Sequence, residues 1–418
     1  MGRLIILLLL FATAAQAQRT CGTTQYVQQQ ILGNPQLQAT YNQVEQQVQQ
    51  ILALQSAARD TFANELISIP VVVHVLYKTA AQNISTQQVL SQIAVLNQDY
   101  RMANADSNLV PLAFRGFKGD ARIKFCLAQV DPKGYRTSGI NRKYTNNDYF
   151  LADDGMKYTS RGGVDAWDTK RYLNIWVCNI FGRVLGYGTP PGTPADKDGV
   201  VIMHDVFGTV GNVRAPFNKG RTTTHEVGHW LGLKHLWGDN DCGDDGVDDT
   251  PRQKSFNFGC PTFPRLSDCS PNGNGDMFMN FMDYTDDACM GLFTNGQKKR
   301  IRALFATNGV RNIFLNAYGC DSTLAQGGPL PDLTPAPVAA TIQVYPNPFI
   351  GSVTINSSDA ALVVGKTVTI YNAQGLPLLK QTISKAETKI PLAFLTAGVY
   401  LLEIGNTDSK SVHKIVKL

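Results

Sequence analysis

The hydrophobic pattern predicts a core built from strands and one early helix. Three apolar, β-branched runs have the length and composition of buried strands, at residues 68–77, 123–128 and 172–178. A helix is predicted between the first two runs, behind a Ser85–Thr86 cap, because apolar side chains recur at helical spacing at Val89, Ile93 and Leu96.

The two ends of the chain follow other patterns. Residues 18–59 are rich in glutamine, and one amphipathic helix is indicated by apolar residues at spacings of four and three, at Leu37, Tyr41, Val44, Val48 and Ile51. Such a helix is marginal in water alone, so it needs a surface to lie on. Residues 321–340 have the composition of a linker, and residues 341–418 alternate in short strands that predict a small β-sandwich.

The first seventeen residues predict a secretory signal. An early Arg3 and a short apolar run precede Ala15-Gln16-Ala17, which has the form of a cleavage site. That run is too short for a stable membrane anchor, and no later stretch reaches the required length. The net charge of +5 comes without long basic runs, so nothing points to nucleic acid. The chain is expected to leave the cytoplasm.

The chemistry concentrates in the segment HEVGHWLGLKH, which begins at His225. On a helix, His225 and His229 project from one face one turn apart, a spacing at which two neutral imidazoles hold zinc. Glu226 follows the first histidine and can reach a water on the metal. Gly232 can end the helix in a left-handed conformation, which brings His235 to the metal. Three histidines leave a fourth position open, as in catalytic zinc sites.

The alternative for these histidines is an ordinary amphipathic helix, because HExxH alone arises by chance. The glycine and the third histidine at fixed offsets make the pattern far more specific. His74 and His204 lie in strand-like runs without a ligand partner at metal spacing, so both are predicted to be structural.

The segments after the motif resemble a known family. They are residues 236–239, 248–251, 280–290 and 293–297. With the zinc motif they resemble the pappalysin family of metzincin metalloproteases, in its short bacterial branch, over residues 60 to 320. The resemblance implies an α+β chain: a metzincin-type zincin catalytic domain, with a twisted mixed sheet and an active-site helix, ahead of the small all-β sandwich.

The resemblance also implies roles for further residues. Met282 matches the methionine turn beneath the zinc, and Tyr284 matches a tyrosine that approaches the metal or the oxyanion. Family members cut before Lys or Arg, which requires an acidic S1′ pocket; the candidates are Asp283, Asp286 and Asp287.

An edge strand above the cleft is expected to pair with an extended substrate, by resemblance to metzincins. The candidates lie in a glycine-rich stretch, for which a plain surface loop is the alternative: Leu185, Gly186 and Tyr187.

The acidic, turn-rich stretch between His235 and Met282 is a candidate calcium site. Clustered carboxylates among glycines can surround a hard cation, although the EF-hand spacing is absent. A solvated acidic face is the alternative, but the resemblance implies structural calcium. The candidate ligands are Asp245, the carbonyl of Val247, Asp248 and Thr250.

Eight cysteines in an exported chain argue for disulfides. The resemblance implies two crossed pairs, Cys242–Cys269 and Cys260–Cys289. Cys126 and Cys178 lie in predicted strands and are expected to pair with each other. That leaves Cys21 and Cys320.

The segment around Cys21 suggests latency. A thiolate is a good zinc ligand, and Arg19 near Cys21-Gly22 resembles the cysteine switch of other metzincins. The amphipathic segment is therefore predicted to be a prosegment on the enzyme's own cleft, and a disulfide at Cys21 is the alternative. An enzyme that cuts before basic residues would process itself at Ala58–Arg59.

The C-terminal motifs YPNP, IYNAQG and AGVYLLEI, with the basic ending after Lys414, resemble the sorting domain of the type IX secretion system. A substrate-binding module is the alternative. Sorting implies export across the outer membrane, with the secretion machinery as a partner. Such domains are usually removed after export.

The chain is thus predicted to be a secreted zinc metalloendopeptidase made as a latent zymogen. Its predicted parts are a signal (1–17), a prosegment (18–58), a catalytic domain (59–320), a linker (321–340) and a sorting domain (341–418). One catalytic zinc per chain and structural calcium are the expected cofactors, and proteins or peptides are the substrates. Glu226 is expected to assist the attack of zinc-bound water.

The competing hypothesis is a non-catalytic adhesin or host-protein-binding module on a zincin fold. Retention of Glu226, the three histidines and Met282 argues for activity.

Overall fold

The computed structural model describes residues 19–57, 65–271, 273–317, 319–321, 323, 342–357, 360–406 and 409–418. The chain divides into two compact units, Met1–Ala336 and Pro337–Leu418. The predicted signal, the Ala58–Arg59 bond and most of the predicted linker lie outside the described residues. The helices of the part that is described are all too short or too polar to cross a membrane.

A six-stranded mixed sheet forms the core of the first unit. Its strands are β1 (Ile67–Tyr77), β2 (Ile123–Leu127), β3 (Ile140–Tyr144), β4 (Leu173–Cys178), β5 (Gly186–Gly188) and β6 (Val200–Met203). The order is β2-β1-β4-β6-β5, and β3 pairs with the second half of β1. The pairs are parallel except β5 on β6. Strand β1 is buried along almost its whole length, which explains its continuous apolar run.

Within the described residues, five α-helices accompany the sheet: α1 (Thr23–Gly33), α2 (Gln36–Ala57), α3 (Thr86–Asp99), α4 (Arg221–Trp230) and α5 (Asn295–Ala303). Helix α3 begins behind Ser85, whose side chain accepts a hydrogen bond from the backbone N–H of Gln88. The predicted N-terminal helix corresponds to α2, and α1 ahead of it was not predicted. Only Thr23 and Tyr26 of α1 are buried, which is too few to give a helical period.

The end of α4 follows the sequence prediction. Gly232 has φ +78°, a conformation that residues with a Cβ rarely adopt. The backbone N–H of Leu233 then donates to the carbonyl of Gly228. The chain turns at this glycine and returns His235 beneath the helix.

The predicted Cys126–Cys178 disulfide is wrong. Cys126 bonds to Cys320, and Cys178 is a buried free thiol. Strands β2 and β4 lie on opposite sides of β1, so their backbones are roughly 10 Å apart, beyond the Cα separation of about 7 Å that a disulfide spans. Cys126 also pairs with Pro70, whereas Val177 pairs with Val75 further along β1. The structure forms the other two pairs as the resemblance implies, Cys242–Cys269 and Cys260–Cys289.

The second unit is all-β, as predicted. One antiparallel sheet has the order β10-β9-β12-β13 and the other β11-β8-β7. The strands are β7 (Ile342–Tyr345), β8 (Ser352–Ser357), β9 (Thr367–Tyr371), β10 (Pro377–Thr382), β11 (Glu387–Pro391), β12 (Gly398–Asn406) and β13 (Ser409–Lys417). Val353 of β8, Val368 of β9 and Leu402 of β12 are buried in one common core.

Candidate active site

Helix α4 and the turn after it bring three imidazoles to one point. The Nε2 atoms of His225 and His229 are 3.2 Å apart, and that of His235 lies 3.2 Å and 3.0 Å from them. All three rings are buried. Burial and the neighbouring imidazoles lower the pKa of His225, and the same causes lower that of His229 to about 3.

The other ring nitrogens show which way the lone pairs point. Nδ1 of His225 bonds the carbonyl of Phe281 at 2.7 Å, Nδ1 of His229 that of Leu233 at 2.9 Å, and Nδ1 of His235 the carboxylate of Asp239 at 2.5 Å. Since these acceptors require N–H at Nδ1, all three Nε2 lone pairs converge. Three convergent neutral imidazoles fit zinc. Sequence reasoning missed Asp239 in this role, although it lies one helical turn's spacing after His235.

Met282 lies directly beneath α4. A side chain at Gly228 would begin 2.5 Å from the Met282 sulfur, so only glycine allows this close approach. The Met282 backbone N–H donates to the Asn280 side chain at 3.0 Å, which fixes the turn. The close contact with α4 agrees with the methionine turn that the resemblance implies, and that role of Met282 stays a prediction.

Glu226 is buried beside the histidines. Its carboxylate accepts hydrogen bonds from Thr23 Oγ1 at 3.0 Å and Cys21 Sγ at 3.4 Å. Burial raises its pKa to about 7, although the bonds from Cys21 and Thr23 oppose the shift. A Cβ at Gly188 would lie 2.3 Å from the Glu226 carbonyl, so the glycines of β5 let this strand rest on α4.

Tyr284 stands against two of the histidines. Its ring centre lies 5.0 Å from that of His235 and 5.7 Å from that of His225. Burial raises its pKa, and so do the nearby Cys21 and Glu226. Trp237, which sequence reasoning did not single out, stacks on His235 at 4.4 Å. The aromatic packing holds the Tyr284 ring beside His225 and His235.

The N-terminal segment fills the cleft along β5. Cys21 pairs with Gly186 in a parallel bridge, and the Gly22 N–H donates to the Gly186 carbonyl at 2.8 Å. Of the predicted edge candidates, Leu185 also bonds this segment, through its N–H to the Thr20 carbonyl.

Cys21 is a free thiol whose sulfur joins the three histidine nitrogens in a cluster within 4.8 Å. The alternative of a Cys21–Cys320 disulfide is wrong, because Cys320 bonds Cys126. Burial raises the pKa of Cys21, and Glu226 adds to this shift. A thiolate here therefore requires nearby positive charge, which a zinc ion would supply. Neither His74 nor His204 belongs to the cluster; His74 is buried and bonds Asn174 at 2.9 Å.

The three candidate S1′ aspartates have different surroundings. The buried Asp287 pairs with the guanidinium of Arg19, which also donates to the Thr285 carbonyl. The carboxylate of Asp287 further accepts the backbone N–H of Lys219 at 2.7 Å. Arg19 itself is 2% exposed.

The other two candidates are placed differently. Asp283 is buried among Asn257 and Gln253, which donate to it at 2.8–3.0 Å. Asp286 is half-buried. The structure therefore brings Asp287, of the three, against a basic side chain.

The candidate calcium residues are only partly brought together. The Thr250 hydroxyl lies 2.9 Å from the Asp245 carboxylate and 2.8 Å from the Val247 carbonyl. Asp248 is exposed. The neighbouring Asp249, which was not a candidate, caps the start of α5 through Thr294 at 2.6 Å and the Gly296 N–H.

Two parts of the chain match known families. Residues 157–306 match the peptidase family described as Pregnancy-associated plasma protein-A, and residues 343–418 match the one described as a secretion system C-terminal sorting domain. An extracellular metalloprotease of Arthroderma benhamiae is 33% identical over 259 residues, which cover 60% of this chain and 81% of the relative.

Two solved structures from Tannerella forsythia resemble the first unit. Mature mirolysin in complex with a cleaved peptide is 49% identical with a TM-score of 0.60, over 61% of this chain and 99% of that one. A promirolysin mutant is 45% identical with a TM-score of 0.66, over 71% of this chain and 97% of that one.

Proposed function

Because the chain belongs to the pappalysin family of metzincin metalloproteases, we propose that its histidine cluster is the active site of a zymogen that cuts peptide bonds before Lys or Arg. The predicted fold class and metalloendopeptidase class are confirmed by these matches. The family implies zinc, and the sorting tail and extracellular relatives support a secreted or cell-surface protein. The proposal rests on one observation: the N-terminal segment contacts the site at two points. Cys21 lies beside the three histidines, and Arg19 pairs with Asp287.

His225, His229 and His235 would hold the zinc through Nε2. Zinc bound there supplies a water of lowered pKa and polarises the scissile carbonyl. Asp239 and the backbone acceptors keep the rings aligned. The buried setting excludes bulk water, which strengthens every charge interaction in the site.

Glu226 acts as the general base. It takes a proton from the attacking water and passes it to the leaving amine. Its carboxylate already meets hydrogen-bond donors in the zymogen, from Thr23 and Cys21, at the place where the water would stand after activation. Tyr284 donates to the oxyanion that develops on the carbonyl.

Asp287 selects the residue after the scissile bond. In the zymogen its carboxylate binds a guanidinium in a buried pocket, and the same chemistry accepts the side chain of a substrate arginine or lysine. Leu185 and Gly186 pair with the substrate backbone once the N-terminal segment has left.

Latency comes from residues 18–58. Cys21 would be the fourth ligand of the zinc, Arg19 fills the Asp287 pocket, and helices α1 and α2 cover the cleft. Cleavage at Ala58–Arg59 would release Arg19, Cys21 and both helices together. The catalytic domain then spans residues 59–320.

Export follows the two ends of the chain. Residues 1–17 direct the chain to the periplasm, and after the linker at 321–340 the sorting domain at 341–418 carries it across the outer membrane and is removed. Structural calcium bound by Asp245, Val247 and Thr250 would hold the acidic loop between His235 and Met282; the exposed Asp248 would have to turn inward to join them.

The test is Glu226→Ala in the full chain. The variant should keep its fold and bind one zinc, yet lose peptide cleavage by about a thousandfold or more, because the ligands remain while the base is gone. It should also accumulate as an uncut precursor that added wild-type enzyme trims to a form starting at Arg59. Substantial residual turnover would contradict the role of Glu226, and a start far from Arg59 would contradict the processing site.

A further inference from the structure

Helix α1 places one side chain in a pocket that the mechanism above does not use. Tyr26 is 1% exposed, and its ring stacks on that of Tyr187 in β5 with centres 4.7 Å apart. Its hydroxyl donates to Asp154 Oδ2 at 2.9 Å. The Lys157 ammonium lies 5.2 Å from the same ring centre. The Tyr26 phenol is therefore held by three groups. Its ring stacks on Tyr187, the Lys157 ammonium lies over the ring, and the Asp154 carboxylate accepts a hydrogen bond from the hydroxyl.

The walls of this pocket support one another without Tyr26. Lys157 and Asp154 form a buried ion pair at 2.8 Å, and Lys157 also donates to the Lys197 carbonyl at 2.7 Å. The ammonium lies over the rings of Trp176 and Tyr187 as well. Burial lowers the pKa of Lys157, and its attraction to Asp154 opposes that shift. Buried charges that are already paired can keep their positions when Tyr26 departs.

The backbone at Asp154 indicates a built site. Asp154 has φ +65°, in the left-handed region that aspartate and asparagine tolerate better than most residues. This conformation starts the short 3₁₀ turn that carries Lys157. Uncommon backbone conformations of this kind concentrate at binding sites, where the surrounding structure holds them.

The N-terminal segment contacts the Asp287 pocket at Arg19, Glu226 at Thr23 and the present pocket at Tyr26, in that order along the chain. Between Arg19 and Tyr26, Cys21 reaches the histidines and Thr23 bonds Glu226. A substrate that places its basic residue on Asp287 and its scissile bond at Glu226 therefore extends its preceding residues along β5, towards Tyr187. Departure of α1 would empty the pocket beside that path.

We propose that Asp154, Lys157 and Tyr187 form a subsite for a tyrosine side chain of the substrate, on the amino-terminal side of the scissile bond. The inference rests on the proposed function and adds a second specificity determinant to the basic residue. The ring faces and the ammonium select an aromatic over an aliphatic side chain, and the carboxylate selects tyrosine over phenylalanine. Tyr26 holds in the zymogen the place that the substrate tyrosine takes in the active enzyme.

The experiment measures kcat/KM of the activated, zinc-loaded protein on matched peptides. The full chain is activated by its own cleavage or by trypsin. Each peptide carries one arginine, and each position before it is occupied in turn by Tyr, Phe or Leu. At one position Tyr should exceed Phe by about tenfold, and Phe should exceed Leu by a few fold.

Two variants and one control assign the preference to the pocket. Asp154→Asn keeps the shape and tolerates the same backbone conformation, and it should bring the Tyr-to-Phe ratio close to one. Lys157→Met should lower both aromatic peptides relative to Leu. Asp153→Asn changes the adjacent carboxylate, which pairs with Arg161 at the surface, and should leave every ratio unchanged.

The outcomes separate this subsite from the proposed function. Cleavage before arginine with equal rates for Tyr, Phe and Leu at every position would overturn the subsite alone and leave the pocket as an anchor for α1. Absence of cleavage before basic residues would overturn both. If either pocket variant fails to fold, the wild-type peptide series still decides.

Discussion

Three acceptors orient the three histidines, and only one of them is a side chain. His225 and His229 donate from Nδ1 to backbone carbonyls, which no substitution removes. His235 instead donates to the carboxylate of Asp239. Asp239 is therefore the residue whose replacement should change the zinc site without removing a ligand.

Asp239→Ala should weaken zinc binding by about ten- to a hundredfold, because His235 loses the acceptor that fixes its ring and raises its basicity. Competition with a chromophoric chelator measures the affinity of the full chain. Asp241→Ala, at an exposed acid two residues on, should bind zinc like the wild type. Equal affinities for the two variants would remove the orienting role of Asp239.

Asp287→Asn should lower kcat/KM for peptides with Lys or Arg after the scissile bond by about a hundredfold, since a buried cation then loses its charged partner. Peptides with a neutral residue at that place should change little. Asp286→Asn serves as the matched control, because Asp286 is half-buried and Arg19 pairs with its neighbour. A basic preference that survives in Asp287→Asn would place the specificity elsewhere.

Local spacing decided which site residues the sequence could predict. His225, Glu226, His229 and His235 lie within eleven residues of one helix and its turn, where geometry fixes their directions. The three candidate aspartates lie within five residues of one another, but their directions depend on distant groups. Asp283 meets Asn257, for example, and no sequence pattern joins those two positions.

At the scale of elements, α2 is held to α5 by a partly exposed ion pair. Glu45 accepts hydrogen bonds from both terminal nitrogens of Arg300 in α5, and Arg300 also donates to the Gly232 carbonyl at 2.8 Å. The pair thus links the N-terminal segment to the glycine that ends α4. Partial burial opposes ionisation of Glu45, but the bonds from Arg300 outweigh it and lower the pKa to about 2.

Glu45→Gln should shorten the lag before self-activation by a few fold, because α2 loses its charged contact with Arg300. Gel analysis of the precursor over time measures the lag, and Gln43→Ala, at an exposed position of α2, is the control. An unchanged lag would show that the ion pair does not limit release.

The same contact predicts a pH dependence. When docking lowers the pKa of a carboxyl group, the ionised carboxylate stabilises the docked state. This stabilisation is fully present above the ordinary pKa of 4.5 and is lost as the pH falls towards 2. Acidification from about pH 7 to about pH 5 should therefore leave this contact intact. Increased protease sensitivity of α2 at about pH 5, relative to about pH 7, would contradict this.

The loop that carries Asp245 gives a second prediction at this scale. Calcium should raise the Tm of the full chain more than it raises turnover per folded molecule, because an ion that binds only the native state stabilises it by mass action. Asp245→Asn should abolish the rise, whereas Asp268→Asn, at an acid paired with Lys254 on the surface, should retain it. A Tm that does not change when calcium is added would indicate that the acidic stretch is only a solvated loop.

An element was predictable from the sequence where its core-facing side chains leave a recognisable apolar pattern. Strand β1 is buried along almost its whole length and shows a continuous apolar run, and helix α3 buries Val89, Ile93 and Leu96 at helical spacing. Helix α1 buries little besides Tyr26, and the pocket that binds this side chain comes from residues more than a hundred positions away. The order of the parallel strands could not be predicted from the sequence either, and the wrong pairing of Cys126 with Cys178 followed from this.

At the scale of the whole molecule, the proposal assigns peptide cleavage to the first unit and sorting to the second. Deletion of residues 337–418 should retain peptide cleavage per folded molecule but abolish export, because the remaining unit keeps its own core and site. Activity assays on the periplasm and on the culture medium locate the enzyme, with the full chain as control. Export of the truncated chain would contradict a sorting role for the second unit.

The Cys126–Cys320 disulfide can form only at a late stage of the chain's entry into an oxidising compartment. It joins strand β2 to a residue near the end of the first unit across 194 residues, so it can close only after nearly the whole unit has entered an oxidising compartment. By the proposed export route, a chain still emerging from the inner membrane lacks this cross-link, which restricts the unfolded state once it has closed. If the chain is exported as proposed, it gains its full resistance to unfolding only after it has left the cytoplasm.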